Sequence, residues 1–303
     1  MLDRARLAGM TTLGAVFLPQ LPPERLRSVV RAADEAGLEE LWLWEDCFLE
    51  SGIATAAAAL AWSSRLRVGV GLLPVPLRNV AVTAMELATL FRLFPDRAIV
   101  GVGHGVQSWM GQVGARAESP LTLLREHASA LRALLRGERV TVEGRYVRLD
   151  GVALDWPPTT GAAVLTGATG PRTLRLSGEV SDGTILTGGT DIGAVRAARR
   201  LIDEGRRAAG RTGPHPVVVY LHAATGPGAA ERVAAEHVRW GYAERGVDPA
   251  DVAVAGDART VADAVRRWAE AGADTVVLQP TADDPDPEHF MRFVAREVRP
   301  LVP

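Results

Sequence analysis

Eight short apolar runs separated by amphipathic stretches recur along the 303 residues, and this alternation limits the possible folds more than any other feature. The runs are Leu13 to Leu18, Glu40 to Trp44, Leu66 to Leu72, Ala98 to Val102, Ala163 to Gly167, Gly183 to Thr187, Pro216 to His222 and Ala273 to Gln279. Most are continuous apolar blocks, as expected of strands covered on both faces. The stretches between them carry helical spacing and helix punctuation. Pro23 to Ala36 stops at Gly37, and Asn79 to Phe94 stops at Pro95. Thr190-Asp191 is placed to cap a helix reaching about Ala209, and Arg259-Thr260 one reaching Ala271. Eight strand–helix repeats with parallel crossovers predict a single α/β domain over 1–303, a (β/α)8 TIM barrel. An open doubly wound sheet is the rival, but its glycine fingerprint is missing after the first strand, which runs into Phe17-Leu18-Pro19-Gln20.

One interval is too long. About 60 residues separate the fourth and fifth strands, against roughly 30 for a standard unit. It holds a glycine-rich turn from Gly101 to Gly114, a helix from Leu121 to Leu135, and a hairpin from Arg139 to Leu149 alternating about Glu143-Gly144. The expectation is an insertion after strand 4, about 106–160, lying over the barrel mouth.

Composition removes several chemistries. All 34 basic residues are arginine, so Schiff-base lysine chemistry and the P-loop lysine are excluded. A net charge of −2 argues against a nucleic-acid or anionic-membrane binder. The single cysteine, Cys47, reads as a small buried filler with acidic neighbours, not a nucleophile, and it fits a reducing cytoplasm. Six histidines show no ligand spacing, so no metal is expected. The segment from Met1 to Arg6 lacks a signal-peptide pattern, and no run is long enough to span a membrane.

In a (β/α)8 barrel the site forms where strands end. Glu45 and Asp46 adjoin there, and one must point away from the other. Either could hold a proton in a dry pocket, or could brace a loop as a salt bridge or helix cap. His104, inside the turn from Gly101 to Gly105, is the best-placed imidazole for proton transfer, with a satisfied structural histidine as the equal alternative. Two Ala-Thr-Gly-Pro copies, Ala168-Thr169-Gly170-Pro171 and Ala224 to Pro227, put proline where helices begin, so amides there could face an anion. Arg172 adds a positive charge beside the first copy. Trp44 and Trp109 could stack on an aromatic ligand or simply pack the rim.

Taken together, these segments resemble the bacterial luciferase-like monooxygenase superfamily, in its branch using the deazaflavin coenzyme F420. The resemblance runs through Gly14 to Pro19, Gly37 to Asp46, Arg67 to Pro74 with Arg78-Asn79, and Arg97 to Gly105. It continues through Leu124 to His127, Glu143 to Tyr146, Ala168 to Arg172, Leu176 to Gly183 and Ala269 to Asp274. It implies a flavin or deazaflavin at the barrel mouth, a small-molecule substrate and a homodimer. Gly71 and Leu72 match a bulge, often a non-prolyl cis peptide, that backs the cofactor ring. His104 and Gly105 match residues touching the cofactor, and Ala168 to Pro171 the phosphate-holding segment, which leaves Gly226-Pro227 as a helix start. Asp46 stands where the family often has histidine, and Val106 where some relatives have glutamate. The resemblance implies hydride transfer with F420, the alternatives being an FMN-dependent monooxygenase and a non-catalytic flavin-binding barrel.

Overall fold

A computed structural model describes residues 10–242, 244 and 246–303; the Met1 to Arg6 segment lies outside the described residues. The elements are β1 (Thr12–Val16), α1 (Leu26–Ala36), β2 (Glu40–Leu43), α2 (Gly52–Trp62), β3 (Arg67–Pro74), α3 (Val80–Leu93), β4 (Ala98–Gly103), α4 (Gln107–Gln112) and α5 (Pro120–Leu135). There follow β5 (Val140–Glu143), β6 (Arg148–Val152), β7 (Val164–Gly167), α6 (Pro171–Val180), β8 (Gly183–Leu186), α7 (Ile192–Ala208) and β9 (Val217–Ala224). The last are α8 (Ala229–Arg239), α9 (Pro249–Val252), β10 (Ala253–Ala255), α10 (Ala258–Ala271), β11 (Thr275–Gln279) and α11 (Pro287–Phe293).

Strands β1, β2, β3, β4, β7, β8, β9 and β11 pair in that order, all parallel, and β11 returns to β1. The ring is closed. The fold is a (β/α)8 barrel, and every predicted strand lies in it. A short extra strand, β10, adds to the outgoing end of β9 through Ala253–His222 and Ala255–Ala224. Its three residues were too few to read in the sequence.

The helices form where their caps allow. Gly37 closes α1 with φ 82°. Asn79 accepts from the Ala81 N–H at 2.9 Å, and Asp191 from the Ala194 N–H at 2.7 Å. The cap expected at Arg259-Thr260 is instead Asp257, whose Oδ1 accepts from the Thr260 N–H. A carboxylate two residues upstream reaches the free amide that a threonine hydroxyl cannot reach from inside the helix.

The long interval splits into parts with different positions. Helix α5 packs between α3 and α6 as an ordinary ring helix. The hairpin lies against α5, its turn spanning Gly144 to Val147 instead of centring on Glu143-Gly144. The Glu126 carboxylate on α5 accepts from the N–H groups of Arg145, Tyr146 and Val147, and the Ser119 N–H donates to the Tyr146 hydroxyl. Val147 and Leu149 join the core outside the ring. The hairpin therefore packs along α5. A carboxylate that answers three turn amides fixes the tip to that helix.

Two apolar cores result. The larger fills the space between ring and helices. The smaller lies inside the ring: Val16, Leu18, Trp42, Ile99, Leu165, Ile185, Val218, Tyr220 and Val277. Glycine supplies the space for these large groups. A Cβ on Gly69 would lie 2.5 Å from the Trp42 indole, and one on Gly101 would lie 2.4 Å from Ile185 Cδ1.

Candidate active site

The period-2 alternation that aims Trp42, Tyr220 and Val277 inward carries on to the strand ends and decides what lines the mouth. On β3, β4 and β7 it delivers glycine. Gly71-Leu72 is a cis peptide, as is Cys47-Phe48, and the β3–β4 register shifts between Val70 and Leu73. The Leu72 side chain lies where a Cβ on Gly103 or Gly167 would be, at 2.5 and 2.1 Å. A Cβ on Gly71 would meet the Tyr220 hydroxyl at 2.3 Å. β4 and β7 thus share a shelf with one leucine on it, and β3 makes room for the Tyr220 hydroxyl.

Beside this shelf the β4 turn meets the start of α6. His104 Nε2 is 3.1 Å from Thr173 Oγ1 in the first turn of that helix. Burial lowers the His104 imidazole below its ordinary value, against the Pro120 carbonyl, which raises it. A neutral ring results at neutral pH. Gly105 has φ 67°, and a Cβ there would press on Pro74 and Met110. Gly170 caps α6 without a side-chain hydrogen bond, and Pro171 is its first residue. The amides of Arg172 and Thr173 have no acceptor within the helix, and the helix dipole adds positive potential there. Ala168 is buried, while Thr169, Pro171 and Arg172 are exposed. No ion pair to Arg172 occurs among the described residues.

The second Ala-Thr-Gly-Pro copy behaves differently. Its helix begins at Ala229 with Gly228 as cap, not at Gly226-Pro227. The Arg232 guanidinium donates to the carbonyls of Pro227 and Thr225, both at 2.6 Å. Positive φ at Gly226 and Gly228 turns the chain away from a direct helix entry. This arginine is spent on its own loop.

The two adjacent carboxylates separate as chain geometry requires. Glu45 faces outward: its Oε2 accepts from the Gly52 N–H at 2.8 Å and pairs with Arg78. It ties the β2 loop to the start of α2 and to the β3 loop, which is the bracing role. Asp46 faces the Tyr220 side, and its negative charge raises the Tyr220 phenol, whose burial is the larger cause. Burial alone pushes the Asp46 carboxyl above the usual carboxylate range. Cys47 is half-buried instead of buried; desolvation, then Glu45 and Asp46, push its thiol up.

On the opposite side of the mouth, sequence reasoning named Trp44 and missed its partners. Trp44 stands edge-on to Tyr220 and Trp240, at 5.8 and 6.3 Å between centroids, and Trp240 stacks with Tyr242 at 6.2 Å. The Tyr242 hydroxyl is 3.2 Å from His222 Nε2. Trp240 and Tyr242 follow α8, away from any strand end, so no strand-end rule selects them. Glu50, at the rim, was also passed over; burial and then Glu24 raise its carboxyl to about 7. No group of three or more His, Cys, Asp or Glu among the described residues could hold a metal, and no described helix is long and apolar enough to cross a membrane.

Comparison with known proteins follows the same lines. The family described as luciferase-like monooxygenase matches residues 2–241. A 5,10-methylenetetrahydromethanopterin reductase of Methanolobus tindarius is 30% identical over 176 residues, 58% of this chain and 53% of its own length. The chain spans between 53% and 62% of the length of the curated relatives it matches. An F420-dependent secondary alcohol dehydrogenase solved with an F420-acetone adduct superposes with a TM-score of 0.86 at 20% identity, covering 97% of this chain and 99% of that one. The oxygenating constituent of 3,6-diketocamphane monooxygenase from Pseudomonas putida, solved with FMN, gives 0.75 at 17% identity, with 97% and 99% covered. At these identities the solved structures speak for the fold alone.

Proposed function

The chain belongs to the luciferase-like monooxygenase family, and from that membership we propose that it is an oxidoreductase transferring hydride between the deazaflavin coenzyme F420 and a small organic substrate. One observation carries this reading: the glycines Gly103 and Gly167, which leave room at the mouth for the Leu72 side chain alone, adjoin a helix start whose first amides have no acceptor within the helix. The residues fit the group. A flat tricyclic ring needs backbone at van der Waals distance, and its anionic tail needs donors. The names of the curated relatives, F420-dependent glucose-6-phosphate dehydrogenases among them, point to the same coenzyme.

When bound, F420 supplies a ring carbon that gives or takes a hydride. This chain supplies placement, charge and a proton. The amides of Arg172 and Thr173, with the Arg172 guanidinium, hold the anionic tail. The hydrogen bond between His104 and Thr173 keeps the β4 turn against that helix start, so His104 and Gly105 position the tail's pocket. Leu72 backs the ring and keeps water from that face. Asp46 holds the proton, because its burial keeps a larger protonated fraction near neutral pH than an exposed aspartate has. Glu45 takes no part in the chemistry, and it holds the loop that carries Asp46.

The second reading is an FMN-dependent monooxygenase, in keeping with the family's description as luciferase-like monooxygenase. Titration separates them. F420 should bind at micromolar concentration with quenching of its fluorescence, and FMN should bind at least roughly tenfold more weakly, about 1.4 kcal/mol. FMN binding preferred over F420, with oxygen consumed when it is reduced, overturns the reading. Weak binding of both would leave a non-catalytic barrel.

The protein would act in the cytoplasm as a homodimer. Val82, Met85 and Leu93 expose 52–66% of their surface along one side of α3, an apolar strip suited to a second copy. Light scattering on the eluted protein measures this directly, and a monomer at micromolar concentration contradicts it.

A further inference from the structure

On the aromatic side of the mouth two deeply buried side chains have unanswered polar atoms. His222 and Gln279 stand opposite one another in the β9–β11 ladder, 2% and 1% exposed. They continue the inward rows that begin with Val218 and Tyr220 on β9 and with Val277 on β11. Tyr242 occupies His222 Nε2, but His222 Nδ1 and Gln279 Nε2 have no partner among the described residues. The backbone at Gly188 closes the third side: a Cβ there would lie 3.1 Å from His222 Nε2, 3.2 Å from the Tyr242 hydroxyl and 3.5 Å from Gln279 Oε1. Unpaired polar atoms in such a place are costly to fold, and their retention points to a partner that arrives from outside.

The chemistry of that partner follows from the donors. Burial, then His237, pulls the His222 imidazole down to about 4, so it is neutral at neutral pH. His222 Nδ1 is a donor where Tyr242 donates to Nε2, and an acceptor where Nε2–H donates to Tyr242. The Gln279 amide end is a donor. The Gln279 donor, with the His222 nitrogen beside it on the adjacent strand, suits one carbonyl or hydroxyl oxygen. The walls around them, Trp44, Tyr220 and Trp240, are aromatic, and no arginine hydrogen-bonds either residue among the described residues. A phosphate or carboxylate would meet no countercharge there.

We propose that His222 and Gln279 form the substrate's polar anchor, so that this mouth selects an uncharged, largely apolar molecule held through a single carbonyl or hydroxyl oxygen. The proposal rests on the reading of the mouth as an F420-dependent oxidoreductase site, and it names that site's substrate class. It distinguishes this chain from relatives named for a sugar phosphate.

The test is a calorimetric titration of the whole protein with three probes: cyclohexanone, methylenecyclohexane (the same shape with CH2 in place of oxygen) and glucose 6-phosphate. Cyclohexanone should bind at least about tenfold more tightly than methylenecyclohexane, and glucose 6-phosphate should give no saturable heat. In Gln279→Met the preference for the ketone should shrink to about twofold, with F420 affinity and melting temperature close to wild type. Gly188→Ala removes no polar group, and it should weaken cyclohexanone several-fold by crowding His222 and Tyr242. An unchanged ketone preference in Gln279→Met, with wild-type cyclohexanone affinity in Gly188→Ala, overturns the anchor, as does glucose 6-phosphate binding more tightly than cyclohexanone. Oxygen-selective ketone binding without F420 binding supports the anchor and counts against the F420 reading alone.

Discussion

The side of the mouth built from β3, β4 and β7 is lined by glycine, and the side built from β2, β9 and β11 is lined by indole, phenol, imidazole and amide. Gly103 and Gly167 leave the first side to Leu72 alone and Gly71 makes room for the Tyr220 hydroxyl, whereas Trp44, Tyr220 and His222 crowd the second. Both sides are ends of the same kind of strand in one closed ring. The difference teaches that barrel closure fixes where a site lies, while the inward residues of each strand divide its work. Bare backbone suits a large flat group held by shape. Aromatic walls with few polar atoms suit a smaller molecule chosen by chemistry. Asp46 lies toward the second side, where a proton is needed, and the α6 amides lie on the first, where an anionic tail is needed.

That division can be broken one side at a time. The largest effect is expected from Asp46→Asn, which should lower kcat by roughly 10²–10⁴ while leaving F420 affinity within about twofold. An equal loss of affinity would show that the two sides do not divide binding from proton transfer. The same variant carries a stability signature. Burial raises the Asp46 carboxyl in the folded chain above its value of 3.8, so ionisation there disfavours folding. The penalty is absent below 3.8 and grows as pH rises through the raised folded value. Asp46→Asn removes it, so the variant should melt above wild type at pH 7 and level with it near pH 3.

Gly167→Val addresses the bare side. Its side chain would occupy the space of Leu72, and F420 affinity should fall about 100-fold, near 2.7 kcal/mol. Fluorescence titration measures it, and retained affinity would remove the shelf from the site. Glu45→Gln should weaken the Arg78 pair and cost about 1–3 kcal/mol of stability by chemical denaturation, with F420 affinity nearly unchanged. A loss of affinity equal to that of Gly167→Val would return Glu45 to the site. The smallest effect is expected from Arg172→Gln, an exposed cation beside the α6 amides. Affinity should drop about threefold at low salt and show no difference from wild type at high salt.

The ring was legible in the sequence because it depends on local pattern, whereas on the glycine side only the Gly101 to Gly105 turn stood out, Gly71 came through the family resemblance, and Gly167 was not singled out. Continuous apolar blocks announce strands covered on both faces. The neighbouring pair was legible as a geometric necessity, since Glu45 and Asp46 cannot point the same way, but which one faced the mouth depended on Arg78 arriving from another loop. Beyond Trp44, the aromatic side was not legible. Trp240 and Tyr242 reach His222 from a segment beyond α8, and no periodicity brings Gln279 to their notice until the ring is closed. The hairpin's contact with α5 was not legible either, because three amides find Glu126 only after α5 has taken its place between α3 and α6.

Hydrogen–deuterium exchange on the whole protein with and without saturating F420 tests most directly whether the ring rests on bare backbone. Peptides covering Ala98 to Gln112 and Val164 to Val180 should gain protection, while those covering Val217 to Ala224 and Thr275 to Gln279 change little. Protection confined to the latter pair, with no change around Gly103 and Gly167, would contradict it.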